Sequence, residues 1–172
     1  MAITTAAGIA FNTVTNESAG GADDASQLAP LGFQLVVPTV DDGDQIWTYV
    51  KANGQLNPGT ICQYINGAAQ AEVQPTGVAL VPKAGIVGVA QHQIGDNGFG
   101  FILTKGRGII TAGNGAVIGA DRAVTSGGAV TTGRGLDFAA GTTAPGCIIA
   151  WCSVAAAGVN LPATCWIDCG GT

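Results

Sequence analysis

The chain has 172 residues and a formal net charge of −5; 47% of it is hydrophobic and only 10% charged. That length can bury a sizeable core in one domain without help from metals or disulfides. Six basic residues scattered against eleven acidic ones argue against a nucleic-acid binder, which needs a lysine- and arginine-rich face to displace counterions, and charge this sparse implies a surface covered by partners or by copies of the chain itself.

Residues 1–30 are rich in Ala, Thr, Ser and Gly. Their larger apolar side chains are Ile3, Ile9, Phe11, Val14 and Leu28. The segment reads as an extended N-terminal arm that orders against a neighbour, and these five residues are the candidate partner contacts. Fully extended, the arm would reach roughly 100 Å. The N-terminus lacks the basic n-region and long h-region of a signal peptide, and no apolar run approaches a membrane span. The expectation is a protein made in a cytosol, with no membrane partner.

From residue 31 to 172 the texture is that of a β-rich body. Phe33, Leu35 and Val37 alternate with Gln34 and Val36 up to Pro38, as in a strand. Asp41-Asp42-Gly43-Asp44 is a turn, and Ile46-Trp47-Thr48-Tyr49-Val50 is a β-branched and aromatic strand. Asn53-Gly54 turns the chain again. Thr60–Ile65 is a further strand, and Val78–Val81 another before Pro82. Ile86, Val87, Val89 and Ala90 suit a strand buried on both faces. Asp96-Asn97-Gly98 is a hairpin signal, leading to a strand with Phe99, Phe101 and Leu103 on one face and ending at Gly106. Ile109–Thr111, Arg122–Thr125, Cys147–Trp151 and Thr164–Ile167 complete the set. Val154–Ala157 is helix-friendly but too short to stand alone. Short strands with frequent glycine turns predict an all-β fold, a compact barrel or sandwich. The turn glycines Gly54, Gly67 and Gly85 recur at one fixed offset as Gly115, Gly128 and Gly146. This spacing suggests two related β-units, about 44–106 and 107–172.

The search for chemistry is nearly empty. His92 is the sole histidine, so a zinc cluster with several imidazoles is excluded. A Cys62 or Cys152 nucleophile would need His92 as base and Asp96 behind it, and nothing in the spacing favours that. Asp41, Asp42 and Asp44 form a turn cluster without the EF-hand pattern. Gly113-Asn114-Gly115 followed by Gly119 has no helix after it to hold phosphates, so it reads as a hairpin. Asn16-Glu17-Ser18 fits a glycosylation sequon, which matters only on secretion. The five cysteines, Cys62, Cys147, Cys152, Cys165 and Cys169, read as buried thiols acting as small hydrophobes. On an extended strand Cys165 and Cys169 would lie roughly 13 Å apart, too far for a disulfide. No catalytic residue, cofactor or metal is expected.

Three blocks carry a resemblance: Leu31-Gly32-Phe33-Gln34-Leu35, then Asp42-Gly43 with Ile46–Gly54 and Leu56-Asn57-Pro58-Gly59, and Gly85–Ala90 with its Asp96-Asn97-Gly98 turn and aromatic strand. In their order they resemble the small phage virion proteins that decorate or cement capsids. The resemblance runs from Leu31 to the C-terminus and rests on the order of blocks and turns. It implies a β-rich, commonly trimeric protein bound outside the major capsid protein lattice. A tail or fibre subunit has similar composition. A receptor- or carbohydrate-binding module would use Trp47, Tyr49 or Trp151, residues that otherwise suit core packing.

Overall fold

The computed structural model describes residues 12–15, 27–40, 42–65, 71–77, 85–113, 117–126, 133–137 and 148–169. Among these the chain forms ten strands and no α-helix. They are β1 (Gln34–Pro38), β2 (Asp44–Ala52), β3 (Ile61–Tyr64), β4 (Glu72–Pro75), β5 (Ile86–Val89), β6 (Phe99–Thr111), β7 (Arg122–Ser126), β8 (Gly135–Asp137), β9 (Ile148–Val154) and β10 (Pro162–Asp168).

Five of them close into a barrel in the order β2-β4-β3-β5-β6, the ring completed by β2 pairing with β6. The pair β2/β4 is parallel, with Lys51 opposite Glu72 and their side chains 3.5 Å apart in an ion pair. The other ring pairs are antiparallel. Closure leaves the ring with no open edge, which is why strands of four residues suffice for β3, β4 and β5. Outside the ring, β1 lines the free half of β2, and β10, β9, β7 and β8 extend from the second half of β6. The fold is therefore all-β: a closed barrel with further strands outside it.

Period-2 alternation divides the side chains between two cores. Val50, Ala52, Leu56, Cys62, Val73, Val87, Ala90, Ile94 and Ile102 fill the barrel. Within the same interior, Thr48 and Thr104 share a 2.7 Å hydroxyl hydrogen bond, so neither buried oxygen is left unsatisfied. The opposite faces of β2 and β6 carry Trp47, Tyr49, Phe101 and Leu103. They pack against Val124, Ile149, Cys165 and Ile167 of the outer strands. Tyr49 and Phe101 meet edge to face at 5.0 Å, a geometry favoured by the ring quadrupoles.

Several expectations hold. Phe33, Leu35 and Val37 share the outer core. β5 is buried at every position. Asn97 and Gly54 take positive φ in the turns assigned to them. Others are corrected. β5 and β6 are not joined by a tight hairpin: residues 90–98 lie between them, and Ile94 pairs with Leu56 before the Asn97 turn. The aromatic strand does not end at Gly106. It runs on to Thr111, with Gly106 at φ 117 pressed against Gln45. The boundary drawn between residues 106 and 107 thus falls inside one strand. β4 and β8 had no separate expectation. Val154–Ala157 forms no helix; β9 ends at Val154 and Ala156 is buried. Val78–Val81 and Cys147 lie outside the described residues.

Candidate functional site

β9 and β10 pair with Cys165 opposite Cys152, Trp166 opposite Trp151 and Ile167 opposite Ala150. Alternation sends Cys152, Cys165 and Ile167 into the outer core and leaves Trp151, Trp166 and Asp168 facing out. The row continues across four strands, from Ala123 of β7 through Trp151 and Trp166 to Arg107 of β6. Trp151 is 53% exposed, Trp166 40% and Ile148 48%. Indoles are large and usually well covered, so two of them side by side in solvent mark a contact surface.

The two tryptophans, with Ile148, Ile149, Ala150 and Asp168, line an open groove of about 320 Å³. The β1–β2 turn abuts one end, where a Cβ on Gly43 would lie 3.6 Å from the Trp166 ring. Beside it Arg107 Nη1 donates to Asp42 Oδ1 at 3.0 Å. Lys105 is the register partner of Asp168. Among the described residues, neither the Trp151 or Trp166 indole N–H nor the Asp168 carboxylate has a hydrogen-bond or ion-pair partner, and neither indole stacks on another ring. The groove thus offers two flat apolar surfaces, two unused donors and one unused acceptor.

The residues singled out from sequence fall in different places. Ile3, Ile9 and Phe11 lie outside the described residues. Val14 packs on the barrel core of its own chain, and Thr15 exchanges two backbone hydrogen bonds with Phe99, at 2.8 and 3.0 Å. Leu28 is exposed, its N–H donating to the Tyr49 hydroxyl at 3.0 Å. Of the three aromatic candidates, Trp47 and Tyr49 are buried and only Trp151 reaches the surface. Trp166 was not among them. Its signal lay in Cys165-Trp166-Ile167-Asp168, where one parity is buried and the other faces out.

The catalytic candidates are dispersed. His92 stacks parallel to Trp47 at 6.3 Å; its Nε2 is buried without a partner, and burial pushes its pKa down. Asp96 accepts from the N–H groups of Gly54 and Asn97. Cys62 sits inside the barrel, its thiol donating to Thr60 O and pushed up to about 12 by burial. Cys152 and Cys165 are free thiols with raised pKa for the same reason, and Cys169 is buried. Asp42 is ion-paired and Asp41 lies outside the described residues. Among the described residues no group of three or more His, Cys, Asp or Glu could hold a metal ion. No described helix is long and apolar enough to cross a membrane.

No protein-family model matches the chain, and no curated protein matches it. A solved structure does share the fold: the N base of head fiber gp8.5 of bacteriophage phi29. The TM-score is 0.51 with 13% sequence identity, and the match covers 74% of this chain and 98% of the fibre base. At that identity the likeness is one of fold.

Proposed function

We propose that this protein is a structural component of a phage virion, seated on the head, where it binds the major capsid protein lattice as a homotrimer and stabilises it. The observation that carries the reading is the fold likeness to a phage head fibre base, which extends over nearly all of that base. The surface supports it. Leu28, Val36 and Val40 are exposed on and beside β1, and the chain has few charges to keep such residues solvated. Obligate interfaces bury apolar surface of this kind, and cyclic symmetry is the usual arrangement. The role is mechanical and uses no catalytic residue or cofactor. Its place is the capsid surface, after synthesis in the host cytoplasm.

A second reading, the base of a head fibre, is favoured by the same match, because the similar structure is itself a fibre base. Cryo-electron microscopy of particles with and without the protein separates the two. Decoration places compact density bridging neighbouring capsid subunits across the lattice. A fibre base places density beneath a projecting shaft. Particles identical with and without the gene would overturn both.

A further inference from the structure

We propose that Trp151, Trp166 and Asp168 form a binding site for a neutral pyranose oligosaccharide. The site goes beyond a role in assembly and stands on the groove alone. Three features of the groove select this ligand.

The first is shape. Directly opposed residues of an antiparallel pair lie about 5 Å apart. The two indoles therefore stand as neighbouring platforms, and neither is occupied by another ring. A pyranose ring presents a flat C–H face that covers an indole, removing apolar surface from water as any buried aromatic contact does. The groove's volume of about 320 Å³ sits at the small end of ligand pockets, the scale of a short saccharide.

The second is the unspent hydrogen bonding. The indole N–H groups only donate and the Asp168 carboxylate only accepts. All three lack a partner among the described residues. A sugar hydroxyl does both, so one polyol satisfies all three groups. An aliphatic partner would cover them and leave them unpaired, at a cost of about 1–3 kcal/mol each.

The third is charge. Around the groove Asp168 faces Lys105 in register and Asp42 is paired with Arg107. Asp44, exposed beside Gly43, adds a third acid to two bases, so the site has no positive field to draw an anionic ligand. An anionic ligand is disfavoured, and the neutral flat platforms suit an uncharged one.

The test uses the purified full chain. Tryptophan fluorescence and calorimetry are followed during titration with chitotriose, maltotriose and cellotriose as neutral probes and with a heparin-derived trisaccharide as the anionic one. Saturable quenching or a blue shift with at least one neutral probe is expected, since Trp47 is buried and the responding indoles are the two exposed ones. Trp151→Ala and Trp166→Ala should each weaken binding at least tenfold, and Asp168→Asn several-fold, with melting temperatures unchanged. Trp151→Phe, which keeps a ring, should restore part of the affinity and guards against a folding defect. No saturable response to any neutral probe would overturn the assignment. So would affinity undiminished in the alanine variants, or binding of the anionic probe alone. Loss of self-association in the tryptophan variants without any sugar response would make the face a contact between copies, and the assignment would fall.

Discussion

Thr48 and Thr104 illustrate how the barrel tolerates polar atoms. Their 2.7 Å hydrogen bond lies in a sealed interior, so removing one hydroxyl strands the other. Thr104→Val alone should cost about 1–2 kcal/mol, while the double change Thr48→Val with Thr104→Val should return most of it. Urea denaturation of the four-member cycle measures this. The thiols make a pH-dependent contribution. Burial pushes the Cys62 thiol from its ordinary value near 9.0 up to about 12, so between those values the folded thiol keeps its proton while the unfolded one loses it. The native state then binds more protons, and stability falls as pH rises. Stability should be level below pH 9 and decline above it, by at most about 1.4 kcal/mol per pH unit for each such thiol. Cys62→Ala should lower stability at neutral pH but flatten the alkaline decline, read by thermal melts from pH 7 to 11. A folded protein whose Cys62 reacts with thiol reagents at pH 8 as fast as a free thiol would contradict this.

At the scale of elements, the decisive positions are glycines where two strands or a strand and a turn come into contact. A Cβ on Gly88 would lie 2.7 Å from the Leu103 carbonyl oxygen, the point where β5 and β6 pair. One on Gly59, at φ 81, would lie 2.7 Å from the Thr111 amide nitrogen. Gly59 also donates to Ala90 O and accepts from Thr111 N, tying the barrel to the end of β6. Gly88→Ala and Gly59→Ala should each destabilise by about 2–4 kcal/mol. Gly158→Ala meets only the flexible end of Leu161, 3.4 Å away, and should change stability by less than about 0.5 kcal/mol. Equal effects at the three positions, measured by chemical denaturation, would mean that close packing is not what fixes these glycines.

The same positions show what could be read from the chain beforehand. β1, β2, β3 and β9 carry alternating or β-branched runs that declare themselves locally. β4 holds one buried large residue, Val73, in Glu72–Pro75, and β8 has three residues. Their strand character comes from neighbours far away in sequence, β2 and β3 for one and β7 for the other. Gly106 looked like a terminus because glycine usually breaks a strand. Here Gly106 takes its positive φ inside β6, which leaves β2 at Lys105 and goes on paired with β10 to Thr111. For the site, Trp151 was a candidate in company with Trp47 and Tyr49. Which aromatic faces out depends on which side of the sheet is covered, and single-strand alternation gives the parity without the side. Once Cys165 and Ile167 are known to point inward, Trp166 and Asp168 follow.

For the molecule as a whole, a closed barrel carries further strands on β2 and β6, and several large apolar residues of the described chain are exposed. Leu28 and Val36 fall near one edge, where β1 is the last strand. If this edge joins copies, Leu28→Glu and Val36→Glu should shift a trimer to monomer in light scattering while leaving the melting of the isolated fold nearly unchanged. The most direct test of the central proposal is cryo-electron microscopy of purified phage particles with and without this protein. The expected result is density of this barrel's size seated on the head, in contact with the major capsid protein and missing when the gene is removed. Purified particles that lack the protein, or carry it only away from the head, would contradict it.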